Sequence, residues 1–425
     1  MILNEKQKEA VDAIVNGDGN LFVTGVGGSG KSVVAAEGIG VLRTCGLNVM
    51  LCAPTGVAAR NIGGVTIHSG FRFDLAPKVA DRLLNVAVSD AVHAADIIII
   101  DEVGMVRRDL MDAIVAVVEK ENLHRRLLGM RELRIVVLGD FAQLPPVVMA
   151  DDRDVLASEY GEESRYSGFH AFSSDGWDRL EFSNIILDQV MRQTDSEFVG
   201  QLDLARVGDP SCIPYFNQFV GAAPHNAVHI VGTNREALRI NEAMLGELSS
   251  RPRTYKGKVK GAFKETDMPA PQILTLAVGA RVILVANDSE GRYVNGSTGT
   301  IDWLGADTVG VKLDDGPTIE VEAKIWENIT YEVVTEKDGE RRLEENVIGS
   351  YSQLPMKLAW ALTFHKAQGQ TIDRVHVYPP TFAAGQLYVG LSRARNPGGL
   401  TLSVPIKPEW LKADGEVVEF YHNLG

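Results

Sequence analysis

The chain has 425 residues, 45% of them hydrophobic and 23% charged, enough apolar material for more than one packed core. Its formal net charge of -14 excludes a protein that coats nucleic acid by general electrostatics, so any polyanion must be held in a local groove. No apolar run approaches the roughly 18 residues of a membrane span, and the chain opens on Asn4, Glu5, Lys6 and Gln7 instead of a signal-like segment, so an intracellular protein is expected. Cys45, Cys52 and Cys212 have neither C-x-x-C nor metal spacing, which predicts reduced thiols without disulfides.

Residues 21–24, L-F-V-T, form an apolar, β-prone run, and residues 31–43 carry an apolar face without proline and read as a helix. Between them residues 25–32 read G-V-G-G-S-G-K-S, which fits G-x-x-x-x-G-K-S/T at every constrained position, from Gly25 to the Ser29-Gly30-Lys31-Ser32 end. In that context Gly27, Gly28 and Gly30 can take backbone angles closed to other residues. Their N–H groups then turn inward beside the positive helix end, a phosphate cradle. Lys31 is placed to reach β- and γ-phosphates, and Ser32 to ligate Mg²⁺.

Further continuous apolar runs at 48–53, 97–101 and 135–139 predict parallel strands covered on both faces, and with the first they define a doubly wound α/β domain. Residues 66–90 interrupt it, with Phe71 and Phe73 alternating in a β-like stretch. Four isoleucines lead into Asp101 and Glu102, so both carboxylates fall at a strand's C-terminal end, where ligands bind in open parallel sheets. There Asp101 would hold the metal through water, and Glu102 would orient and deprotonate an attacking water, which points to hydrolysis. The next strand ends in G-D-F-A-Q-L-P-P (139–146), whose Gln143 could sense a γ-phosphate. Arg192, within V-M-R-Q (190–193), and Arg393, within Y-V-G-L-S-R (388–393), are candidates for neutralising transition-state charge.

The alternating pattern returns with strands at 228–232, 374–378 and 400–404 and helical stretches near 234–248, 356–367 and 385–395, a second α/β domain. Asn234 is expected to cap the helix that follows it, in preference to a DNA contact, the other role open to it. Within this domain residues 271–353 become short β runs separated by Asn295-Gly296, Asp315-Gly316 and Asp338-Gly339, which predict a small antiparallel barrel and a hairpin over 328–348. Just ahead, residues 251–264 hold six Lys or Arg and no carboxylate, with Tyr255 and Phe263 interleaved. A solvated loop and a phosphate-tracking strip both fit that composition.

These motifs, in this order, resemble the superfamily 1 DNA helicases of the B branch, the petite-integration-frequency group, with RecD and the phage Dda helicase as relatives. Leu3, Asn4 and Gln7 resemble the glutamine motif that reads adenine. Residues 53–59, A-P-T-G-V-A-A, and 66–69, T-I-H-S, resemble the motif that grips single-stranded DNA. Residues 139–146, 190–193, 362–371 (L-T-F-H-K-A-Q-G-Q-T) and 385–395 match the later motifs.

The resemblance implies two RecA-like P-loop domains with ATP and Mg²⁺ in the cleft between them. It also implies 5′-to-3′ translocation on single-stranded DNA and unwinding of forked duplex. The first domain is then 1–185 with a pin at 66–90, the second 186–270 and 354–425, and 271–353 an SH3-like barrel. Lys31, Asp101, Glu102, Gln143, Arg192 and Arg393 would be catalytic, and Gly369 would join the ATP site. Pro54, Thr55, His68, Phe71, Phe73, Thr363, His365 and Lys366 would meet DNA, a phenylalanine of the pin acting as the wedge. A monomer, with replication or repair proteins as partners, fits the family. The alternatives are a DNA-stimulated translocase that unwinds weakly and a RecD-like subunit of a larger assembly. The chain departs from the family pattern at Gly104, usually serine, and at Ala142 and Met191, usually aromatic.

Overall fold

The computed structural model describes residues 3–424 apart from 75, 78–85, 161–167, 190–194, 225, 315 and 336–340. The chain forms two compact units, Met1–Val190 with Ile329–Val347 and Gly415–Gly425, and Met191–Asn328 with Ile348–Asp414.

The first unit is built on six strands, β1 (Leu21–Gly25), β2 (Val49–Ala53), β3 (Val65–Thr66), β4 (Ile97–Ile100), β5 (Arg134–Leu138) and β6 (Ser183–Leu187), ordered β3-β2-β4-β5-β1-β6. Every pairing is parallel. All residues of β1, β2, β4 and β5 are buried, as continuous apolar runs require when helices cover both faces, while the edge strand β6 alternates. Helices α1 (Glu5–Asn16), α2 (Lys31–Thr44), α3 (Gly56–Asn61), α4 (Ile67–Phe71) and α5 (Arg108–Leu127) supply the cover nearest the candidate site. The register pairs Val23 with Leu138, Ile100 with Val137 and Cys52 with Ile100, so the loops leaving β1, β2, β4 and β5 emerge side by side at one sheet edge.

Two distant segments complete this unit. In the C-terminal helix, Gly415–Leu424, Phe420 stacks on Phe172 at 4.4 Å and meets Phe141 edge-on at 5.4 Å, and Glu416 accepts a hydrogen bond from the Gly168 N–H at 2.9 Å. In 329–347, the Tyr331 hydroxyl accepts from the Leu51 N–H at 3.2 Å, and the Leu343 N–H donates to Asn48 at 3.1 Å. Sequence reasoning groups 415–425 with the second domain and 329–347 with the barrel; the compact units divide the chain differently at both places, because side chains far apart in sequence decide where these segments pack.

The second unit contains a parallel sheet of β7 (Val228–Val231), β18 (Ala361–Thr363), β19 (Val375–Val377) and β20 (Leu400–Leu402), ordered β18-β7-β19-β20. An antiparallel sheet of β11 (Arg281–Leu284), β12 (Thr298–Leu304), β13 (Val309–Leu313), β14 (Thr318–Val321) and β17 (Met356–Leu358) runs β14-β13-β12-β11-β17. Arg281 links the two regions: its guanidinium is buried, donates to Asp314 Oδ2 at 2.7 Å and to the Asn226 carbonyl at 2.9 Å. Residues 251–264 form β8 (Arg253–Lys256) and β9 (Lys258–Gly261). The first pairs with β10 (Ile273–Leu276) and the second with residues 349–352 of β16 (Arg341–Gln353), itself the neighbour of β15 (Lys324–Thr335).

Three local expectations are corrected. Residues 356–367 are strands β17 and β18 followed by a single turn, α7 (Phe364–Ala367), because Met356 to Leu358 pair with β11 and Ala361 to Thr363 with β7, and pairing overrides helical propensity. Phe71 ends helix α4, which Thr66 caps, and is not in a β stretch. Thr233, not Asn234, caps α6 (Asn234–Gly246), its hydroxyl accepting from the Glu236 N–H at 3.2 Å.

Candidate nucleotide and nucleic-acid site

Gly25, Gly28 and Gly30 take φ of 151°, 92° and 90°; Gly27 is not among the positive-φ glycines, so the turn rests on its neighbours. A Cβ at Gly30 would lie 2.4 Å from the Gln7 amide nitrogen, so the loop approaches α1 closely as well as turning tightly. Gln7 is 2% exposed and belongs to a capping box with Asn4, and its Nε2 donates to the Ser29 carbonyl at 3.0 Å, which ties α1 to the cradle. No side chain caps α2, whose N-terminal end therefore faces the loop. Lys31 Nζ donates to the Gly25 and Val26 carbonyls at 2.7 and 3.2 Å. Ser29 Oγ is buried without a hydrogen-bond partner among the described residues, and Ser32 is exposed on the first turn of α2.

Asp101 follows β4 and is buried, its Oδ1 accepting from the Glu102 N–H at 2.9 Å. Burial pushes its carboxyl above the usual carboxylate range, against the Glu102 N–H and the Lys31 ammonium, which favour the charged form. Glu102 is left-handed, with φ 55° and ψ 42°, a conformation costing a non-glycine residue about 1–3 kcal/mol and typical of functional turns. Gly104, in the same turn, packs so closely on the following loop that a Cβ would lie 2.7 Å from the Asp140 carbonyl oxygen. That contact gives the departure from serine a physical basis in this chain. Gln143 is 7% exposed and donates from Nε2 to Asp140 Oδ2 at 3.3 Å. Lys31, Asp101, Glu102, Asp140 and Gln143 thus stand on adjacent loops at one edge of one sheet.

A residue that sequence reasoning does not select joins this edge. The Tyr421 hydroxyl, from the C-terminal helix, lies 2.9 Å from Thr24 Oγ1 and 3.1 Å from Asp140 Oδ1, and accepts from the Phe141 N–H at 3.0 Å. Nothing local in its sequence distinguishes it from a surface helix tyrosine.

Of the expected DNA residues, Pro54, Thr55 and His68 follow β2 and β3 in the first unit and are half-buried, and Thr55 caps α3 by accepting from the Ala58 N–H at 3.2 Å. Thr363 is buried and caps α7 in the second unit, accepting from the Lys366 N–H at 3.3 Å, and His365 and Lys366 are exposed on that turn. Phe71 is 1% exposed within the first unit's core and stacks on the half-buried Phe73 at 5.2 Å. The wedge reading of Phe71 is therefore corrected: its ring serves the core at the root of the insertion, part of which lies outside the described residues. Arg192, with 190–193, also lies outside them.

Arg393 is 1% exposed in the second unit. It donates to the carbonyls of Val389 at 2.8 Å, Ala367 at 3.3 Å and Gln370 at 3.2 Å, tying α8 (Gln386–Leu391) to the loop that carries Gly369, φ 76°. Lys357 on β17 also escapes the sequence reading; burial and the Lys366 ammonium push it down to about 8. A lone cation in the apolar run P-M-K-L-A-W is the available signal.

A strand-bounded phosphate loop after β1, an acidic pair after β4 and a polar side chain on the loop after β5, the strand between them, define a P-loop nucleotide site of the RecA-like kind. Residues 2–203 match the model of the PIF1-like helicase family. The ATP-dependent DNA helicase PIF1 of Homo sapiens is 29% identical over 99% of this chain, and the Pif1 of Campylobacter jejuni 28% identical over 95%. The chain spans 64% of the length of the human relative and 95% of the other. The crystal structure of a Bacteroides Pif1 with ADP-AlF4 matches all of this chain and 97% of that one, at 31% identity and a TM-score of 0.86; a structure of Bacteroides Pif1 bound to single-stranded DNA matches with a TM-score of 0.65. The chain belongs to the PIF1-like helicase family.

Proposed function

We propose that this chain is an ATP- and Mg²⁺-dependent DNA helicase that moves 5′-to-3′ along single-stranded DNA as a monomer and unwinds forked duplex. The observation that carries the nucleotide part is the convergence of the Gly25–Ser32 loop, Asp101, Glu102 and Gln143 on one sheet edge in a chain of this family. The donor set fits a hard divalent cation: a buried carboxylate whose charged form is disfavoured by burial gains a compensating charge, and Ser32 supplies a hydroxyl at the helix end. Bound there, Mg²⁺ would neutralise charge on the phosphate oxygens.

The chain's own residues do the rest. Backbone N–H groups of the loop and Lys31 hold the phosphates, Glu102 orients the water and takes its proton, and Gln143 reports on the γ-phosphate. Arg393, and Arg192 with it, supply positive charge to the transition state, which for Arg393 requires leaving the carbonyls that now hold it. Thr55, His68, Thr363, His365 and Lys366 contact the strand, in keeping with the DNA-bound relative. The first test is ATP turnover with and without single-stranded DNA, beside strand separation on a fork. The reading expects turnover that DNA stimulates and unwinding that needs ATP. Stimulated turnover without unwinding would leave a translocase, and turnover indifferent to DNA would contradict the proposal.

A further inference from the structure

We propose that Tyr421 is a positioning residue for ATP hydrolysis, its hydroxyl fixing the Asp140 carboxylate that in turn holds the γ-phosphate sensor Gln143. The inference rests on the hydrolytic reading above and deepens it. One hydroxyl has one proton to give and two lone pairs to receive. The carboxylate Asp140 Oδ1, 3.1 Å away, takes the proton, leaving Phe141 N–H at 3.0 Å and the Thr24 hydroxyl at 2.9 Å as the donors. All three partners are buried, Thr24 at 0%, Phe141 at 1% and Asp140 at 3% exposed. Removing the hydroxyl therefore leaves each of them short of a bond that water does not replace.

The three partners are not incidental core residues. Thr24 immediately precedes Gly25, the first residue of the phosphate loop, and Asp140 and Phe141 open the loop that carries Gln143. Asp140 uses Oδ1 for Tyr421 and for the Ala142 N–H at 3.1 Å, and Oδ2 for Gln143 at 3.3 Å. A single atom from the C-terminal helix thus bridges the end of β1 and the loop that follows β5. The helix is anchored for the task by Phe420 in the aromatic cluster and by Glu416 on Gly168.

Tyr421→Phe keeps the ring and removes only the hub. Losing a charge-assisted hydrogen bond should lower kcat for ATP about tenfold, while the KM for ATP stays near wild type, because the cradle and Lys31 are untouched. The decisive readout is a double-mutant cycle with Gln143→Ala. If Tyr421 acts through Asp140 on Gln143, the double variant turns over no more slowly than Gln143→Ala alone. Wild-type kcat in Tyr421→Phe, or losses that multiply in the double variant, would overturn the proposal. Should Tyr421→Phe unfold at the assay temperature, Asp140→Asn replaces it. The carboxamide oxygen of that variant can still serve Tyr421 and the Ala142 N–H, but its amide nitrogen donates where Oδ2 accepted, so Gln143 must turn its amide over and presents the opposite atom to the γ-phosphate. The same fall in kcat is expected, and wild-type turnover would overturn the proposal. Basal and DNA-stimulated rates are both read: a wild-type chain that hydrolyses ATP without DNA stimulation contradicts the helicase reading and still reports on Tyr421.

Discussion

Under the proposed function Lys31 and Glu102 divide the work of the nucleotide site in a way that separate measurements resolve. Lys31→Ala removes the principal side-chain cation from the phosphates and should nearly abolish ATP hydrolysis. Glu102→Gln keeps shape and hydrogen bonding while losing the base, so ATP binding persists and turnover collapses; a wild-type kcat in the glutamine variant would assign the base elsewhere. Gly104→Ser restores the usual family residue but drives a Cβ to 2.7 Å from the Asp140 carbonyl oxygen. Overpacking of that kind costs about 1–3 kcal/mol, so the variant should melt earlier and hydrolyse ATP more slowly, and an unchanged melting point would show that the turn yields freely. Phe71→Ala should cost about 3–5 kcal/mol as a buried large-to-small change, with ATPase and unwinding falling together on warming. A variant as stable as wild type that hydrolyses ATP but fails to unwind would return Phe71 to the wedge role. The phosphate loop and the acidic pair are legible in the sequence because their chemistry is local, a handful of consecutive residues between a strand and a helix. The core position of Phe71 and the hub at Tyr421 are not: a shared core creates the first, and partners 280 to 397 residues away in the chain create the second.

Among the elements, the parallel strands are legible from continuous apolar runs, and β17 and β18 escape because 356–363 is strand only through its partners β11 and β7. The joint between the second unit's parallel sheet and its five-stranded antiparallel sheet depends on the buried Arg281 guanidinium and on Asp314, which, despite burial, Arg281 and Thr298 hold below the usual carboxylate range. Asp314→Ala strands that guanidinium, and breaking such a pair costs about 3–5 kcal/mol; equilibrium denaturation should register it, and a loss below about 0.5 kcal/mol would place the pair among inert surface bridges. The parallel sheet carries a second titratable feature. His376 on β19 lies beside His229 on β7, ring centroids 5.1 Å apart, with its Nδ1 2.9 Å from Thr401 Oγ1. Burial, and then His229, push His376 down to about 4. The folded form resists a proton that the unfolded chain accepts near 6.5, so the contribution is intact above about pH 6.5 and is lost as pH falls toward 4, at up to about 1.4 kcal/mol per pH unit. His376→Asn should flatten that part of the stability profile; an unchanged acid limb would assign it to other groups.

For the molecule as a whole, the net charge of -14 leaves little general attraction for DNA, so affinity should come from few phosphate contacts plus base stacking at about 1–3 kcal/mol per base. The slope of log K against log salt on single strands is about -0.7 per phosphate contact and should be shallow. Arg251, Arg253, Lys256, Lys258, Lys260 and Lys264 are all exposed, and none forms an ion pair among the described residues. A slope equivalent to about ten contacts would therefore move the binding surface onto that strip. Directional transport coupled to strand separation, the core of the proposed function, is read by measuring unwinding and ATP turnover side by side on one duplex carrying a 5′ single-stranded tail, a 3′ tail or none. Turnover is expected on either tailed substrate but strand separation only with the 5′ tail; equal unwinding from a 3′ tail, or none from either while ATP is consumed, would rule the proposed function out.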